Sequence, residues 1–127
     1  MRESDLQTRF TRWAKHNVLS SAAFELKICK DKSLPFNAVQ PHQVVALMQV
    51  RKNKLCYKIP DAGVGAKPFD FFCISGEAFV VIMFYKRGEK NVYLIDIIDW
   101  VVAEITSDRK SITEEEASKI GRLEVVY

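Results

Sequence analysis

Along "ESDLQTRFTRWAKH" the apolar residues Leu6, Phe10 and Trp13 recur at helical spacing, so the chain opens on an amphipathic helix with Ser4 or Asp5 near its start to cap it. At about 100° per residue Glu3 falls close to the direction of Phe10, which sets its carboxylate at the border of the apolar face. "AAFELKICK" then changes period to two: Phe24, Leu26 and Ile28 go to one side of a strand, Glu25, Lys27 and Cys29 to the other. After "DKSLPFNAVQPHQ", a loop, Pro41 suits the first turn of a second helix, "PHQVVALMQVRK", with Val44, Val45, Leu47 and Met48 as core positions. His42 and Gln43 sit in that first turn, where free backbone N–H groups favour anions.

Downstream, "KLCYKI", "KPFDFFCIS" and "AFVVIMFYK" are β-rich, and Gly76-Glu77 predicts a hairpin between the last two. The almost unbroken apolar run "AFVVIMF" predicts a central strand covered on both faces. "PDAGVGAKP" has two Pro, two Gly and no period, and is expected to be a loop. "NVYLI" is a further strand, Asp96 a cap for the helix "IIDWVVAEI", and "TEEEASKI" a short helix with a Thr113/Glu116 capping box and Gly121 just past its end. Helices and strands interleave in this way in one small mixed α/β domain spanning residues 1–127.

Composition narrows the classes. At 127 residues and 48% hydrophobic content the chain can bury a core without metal or cross-links. "MRESDLQTRF" has no apolar leader and no run reaches the roughly 18 apolar residues of a membrane span, so a cytoplasmic protein is expected, in the host cytoplasm if the chain is viral. Cys29, Cys56 and Cys73 are an odd set at wide spacing among apolar neighbours, which predicts buried free thiols and no thiolate metal site. The formal charge is only +3, but cations gather at Lys27, Lys30 and Lys32, at Arg51, Lys52 and Lys54, and at Lys86, Arg87 and Lys90, as suits a polyanion such as DNA. Trp13, Trp100 and the phenylalanines are assigned to the core and not to base stacking.

No GxSxG, Gly-rich phosphate loop or metal-spaced His pair is present, which leaves carboxylates and lysines as the chemistry on offer. Glu25-x-Lys27 places an acid that can hold Mg²⁺ about 6.5–7 Å along a strand from an amine that can orient water or neutralise a phosphate. Such pairs also occur on ordinary solvated strands, so a second acid is required. Asp70, flanked by Phe69, Phe71 and Phe72, is an unusual place for a carboxylate without a ligand or a positive neighbour, whereas Asp61 after Pro60 reads more simply as a turn residue.

The run "FELKICKDKSLPFNAVQPHQVVAL" resembles the PD-(D/E)XK nuclease superfamily, in particular the Holliday-junction-resolvase group of the RecU and archaeal Hjc type. The match rests on Glu25-x-Lys27, the Ser33-Leu34-Pro35-Phe36 connection, and His42-Gln43 opening a helix that reaches Leu47, about a quarter of the chain. The resemblance implies a restriction-endonuclease-like fold with a mixed central β-sheet flanked by helices. It also implies Mg²⁺-dependent cleavage of branched or duplex DNA, with Mn²⁺ as a substitute, by a homodimer. It gives Glu25 and Lys27 the ExK roles, Gln43 that of a helix glutamine and Glu3 that of a helix acid. Metal would be held by Glu25, Asp70 and Glu3, and DNA met by Lys30, Lys32, His42 and Lys67. The family's aspartate normally precedes the ExK strand, where "NVLSSAAFELK" has only serines and alanines. Asp70 on a later strand is the expected replacement, with Asp61 and Glu3 the other acids to consider. The competing readings are a non-catalytic nucleic-acid-binding module on the same scaffold, and a core protein of a larger assembly whose acidic C-terminal helix is the contact.

Overall fold

The opening stripe forms α1 (Glu3–Asn17), and the alternating segment after it forms β1 (Ala22–Cys29). The rest of the computed structural model, which describes residues 2–18, 20–60, 67–86 and 88–124, follows in this order. The connection after β1 contains β2 (Ser33–Pro35) and a 3-10 turn (Phe36–Ala38), then α2 (Pro41–Lys52), β3 (Leu55–Lys58), β4 (Phe71–Ile74) and β5 (Glu77–Lys86). β6 (Glu89–Asp96), α3 (Ile97–Thr106), β7 (Ser111–Thr113), α4 (Glu114–Ile120) and β8 (Arg122–Glu124) complete it. Among the described residues no helix is long and apolar enough to cross a membrane.

The central sheet is mixed, in the order β1-β5-β6-β8, with β1 parallel to β5 and the other neighbours antiparallel. Residues 78–84 of β5 are buried on both faces, as their continuous apolar sequence predicts. The period of two divides this sheet between two cores. Phe24, Leu26 and Ile28 meet Phe79, Val81, Met83, Val92 and Leu94 under Leu6 and Phe10 of α1. On the other side Val80, Ile82, Phe84, Tyr93 and Ile95 pack against Leu47 and Val50 of α2 and Ile97 and Trp100 of α3. Each such fully buried aliphatic or aromatic side chain contributes about 1.5–3 kcal/mol. The helices therefore flank the sheet on both faces.

Parallel neighbours cannot be joined by a tight turn, so the chain needs a crossover between β1 and β5. α2 supplies it and packs back across both strands. Its approach is set by the β2–β7 pair, by the backbone bond from Phe36 N to Lys110 O (2.9 Å), and by Phe36 against Trp100, edge to face at 5.2 Å.

Two caps behave as the sequence predicts: Asp96 Oδ1 accepts from Ile98 N at 2.9 Å, and Thr113 and Glu116 form their reciprocal box. At α1 the cap position is Arg2, whose N donates to Asp5 Oδ2 at 2.8 Å, and Ser4 lies inside the helix. The hairpin expectation at Gly76-Glu77 is corrected. β4 pairs with β3 in a separate two-stranded ribbon, and the long hairpin is β5–β6, turning at Gly88 with φ +88°. Gly76 instead lets the chain pass from ribbon to sheet, since a Cβ there would overlap the Ser21 carbonyl. Val45 is exposed, not core, because Leu47 and Val50 define the inward stripe.

The cysteine expectation holds for Cys29, which is free and buried, and fails for the other two. Cys56 and Cys73 are exposed and joined in a disulfide, because the β3–β4 register sets them directly opposite each other. The aromatic expectation is corrected in part. Trp100, Phe10, Phe36, Phe79 and Phe84 are buried, but Phe69, Phe71 and Phe72 are exposed on or beside the ribbon.

Candidate functional site

Glu25 and Lys27 project from β1 towards α2, on the side opposite α1. Lys27 Nζ lies 3.3 Å from Glu25 Oε1, with the lysine side chain 17% and the glutamate 25% exposed. Gln43 Nε2 donates to the same Oε1 at 3.0 Å. The other end of that amide is also fixed, because Gln43 Oε1 accepts from Gln40 N at 2.9 Å as the reciprocal half of the helix start. With both ends of the side chain engaged, the amide has one sensible orientation and its N–H points at the carboxylate. A carboxylate, an ammonium and an amide from two elements 18 residues apart thus converge. Gln40, which holds Gln43 in place, had no signal in the sequence beyond standing three residues before it.

Both polar contacts fall on Oε1, so Oε2 is the atom Glu25 offers to a cation. Mg²⁺ is commonly held by one or two carboxylates, completed by water and substrate phosphate. Glu25 fits the single-carboxylate end of that range. The second acid is not brought to it. Asp70 stands just before β4 with its side chain 81% exposed and paired to Lys67 Nζ at 3.3 Å. Glu3 is exposed at the start of α1, whose apolar stripe covers the Phe24/Leu26/Ile28 face. Among the described residues no group of three or more His, Cys, Asp or Glu side chains is arranged to hold a metal. Asp61 lies outside the described residues, as do most of the residues of the loop "PDAGVGAKP".

The residues expected to meet DNA divide between two places. Lys30 and Lys32 line an open pocket with Asp31, Tyr85, Lys86 and Glu89, at the carboxyl ends of the parallel strands β1 and β5. Clefts at the carboxyl ends of parallel strands are frequent ligand sites. His42 is exposed on the first turn of α2, next to Gln43. Lys67 belongs with the ribbon. Next to the pocket, Glu114 accepts from Tyr93 Oη and Asn91 Nδ2, both at 2.8 Å, and lies 4.0 Å from Lys86 Nζ. Burial, and then this hydrogen bond, push the Tyr93 phenol up to about 12. Burial likewise raises the Cys29 thiol, partly offset by a backbone hydrogen bond at Asp31. No protein-family model matches this sequence, and no curated protein is similar to it.

Proposed function

We propose that this chain is a Mg²⁺-dependent, structure-selective DNA endonuclease of restriction-endonuclease-like fold, acting as a homodimer on four-way junctions or other branched DNA. The observation that carries the reading is the convergence of Glu25, Lys27 and Gln43 within 3.3 Å, from the two segments on which the family resemblance rests. Bound Mg²⁺ would supply Lewis acidity and an activated water. Glu25 offers Oε2 to the metal, and Gln43 holds the carboxylate so that Oε2 is presented. Lys27, drawn to Oε1, is the amine that neutralises charge on the phosphate under attack. Lys30, Lys32 and Lys86 follow the DNA backbone away from the cut.

A second reading, a non-catalytic nucleic-acid-binding module, is favoured by the position of Asp70 out on the ribbon. Incubating a labelled four-way junction with the protein in Mg²⁺ or Mn²⁺ separates the two. The enzyme reading expects cutting that Glu25→Gln and Lys27→Ala abolish and Asp70→Asn leaves intact. Binding without cutting in either metal hands the case to the second reading.

A further inference from the structure

The β3–β4 ribbon exposes side chains that the nuclease reading does not use. Its register alternates cleanly: Leu55 and Ile74 turn into the main core, Cys56 and Cys73 face the other way, and Tyr57 stands directly opposite Phe72 on the core-facing side. That side continues past the core as an aromatic surface. Tyr57 and Phe72 lie 6.4 Å apart, and Phe69 meets Phe72 edge to face at 6.4 Å. With Phe71 on the opposite side, these four rings are between 37% and 64% exposed. The ribbon's aliphatic pair packs against the core, so among the described residues its exposed apolar surface is aromatic.

The charge around it is complementary to phosphate. Residues 51–74 carry five cations (Arg51, Lys52, Lys54, Lys58 and Lys67) and two carboxylates. Arg51 is paired with Asp96 and Lys67 with Asp70, so Lys52, Lys54 and Lys58 supply the positive field. Flat rings every few ångströms beside a concentrated positive field are the two features that hold unpaired nucleotides, with bases stacked on the rings and phosphates neutralised by lysines. We propose that the disulfide-stapled ribbon is a binding platform for unpaired nucleotides, with Tyr57, Phe69 and Phe72 as the stacking surface and with Lys54 and Lys58, the latter opposite Phe71 on the other side, contacting phosphates that pass around the ribbon's edge. The proposal shares with the nuclease reading its nucleic-acid partner but needs neither metal nor Glu25.

The test is fluorescence anisotropy in EDTA with a labelled oligothymidylate and a blunt duplex of equal length. The expected result is tighter binding of the single strand. Tyr57→Ser/Phe72→Ser should weaken it on the order of tenfold or more, and Phe69→Ser alone should weaken it in the same direction without touching either strand. Lys54→Ala/Lys58→Ala should reduce the dependence of log affinity on log salt by about 1.4, while Glu104→Gln, at an exposed position of α3, leaves single-strand affinity unchanged. Equal affinity for duplex and single strand overturns the proposal, as does full affinity in Phe69→Ser and the double serine variant. So does a wild-type protein that ignores the oligonucleotide and sediments with phosphatidylglycerol vesicles. A protein that stacks single strands but cuts no junction sinks only the nuclease reading, and one that cuts junctions without preferring single strands sinks only this one.

Discussion

Gln43→Glu tests the candidate site at its hinge, because it preserves side-chain length and the helix start while reversing one contact. A glutamate can still accept from Gln40 N, as Gln43 Oε1 does at 2.9 Å. Its other oxygen would then face Glu25 Oε1, where the amide now donates at 3.0 Å. Two unit charges about 3 Å apart repel by roughly 1.4 kcal/mol in bulk water and about 5.5 kcal/mol at an effective dielectric of 20. Glu25 is one-quarter exposed, and Lys27 at 3.3 Å offsets part of the repulsion. Adding the lost hydrogen bond to a charged acceptor, about 1.5–3 kcal/mol, the net destabilisation at pH 7 is about 3 kcal/mol, or roughly 10 °C in Tm. Introducing Glu25→Gln on top restores an amide–carboxylate pair with its roles exchanged and should recover most of the loss. Urea denaturation of wild type, the two single variants and the double variant at pH 7 measures this. If Gln43→Glu stays within about 0.5 kcal/mol of wild type at pH 7, or Glu25→Gln gives no rescue, the Gln43–Glu25 contact is not what holds the site.

Two further predictions concern groups outside that contact. Tyr93, with its phenol pushed up to about 12 by burial and by Glu114, is held neutral by the fold. Its contribution to stability is therefore complete below its ordinary value of 10.0 and is lost as pH rises from there towards about 12. Tyrosinate absorbance should show one residue titrating late, with Glu114→Gln moving it earlier; all tyrosines ionising together in folded protein would contradict the assignment. The thiols should sort by exposure. Alkylation of native, unreduced protein is slow everywhere, mild reductant frees Cys56 and Cys73 at once, and Cys29 reacts only on unfolding. Rapid labelling of Cys29 in the folded state is the opposing outcome.

Local patterning made much of the architecture legible. The stripe Leu6/Phe10/Trp13, the alternation through Phe24, Leu26 and Ile28, and the caps Asp96 and Thr113/Glu116 are short-range features whose physics lies within a few residues of each other. The central place of residues 78–84 was also readable, because a strand apolar at every position has no face to give to solvent. For the same reason Glu25 and Lys27 could be placed on one face of β1, and Gln43 in the first turn of a helix, before any contact between them was known.

Register and strand partners were not legible. Gly76-Glu77 carries turn chemistry, but which strands flank a turn and then pair depends on core burial elsewhere, and β5 gains more between β1 and β6 than beside β4. The same register brings Cys56 to Cys73 and turns Leu55 and Ile74 inward, which leaves Tyr57 and Phe72 outside. None of this follows from a spacing along the chain. Asp70 shows the limit most directly. Its flanking phenylalanines resemble a buried setting in sequence, yet the ribbon that carries them projects beyond the core. Sequence alone determined which side chains share a face, since that is a property of the backbone period. Only tertiary structure decided which faces meet, bringing Gln43 over Glu25 and keeping Asp70 apart, because those meetings are set by how the crossover packs the sheet.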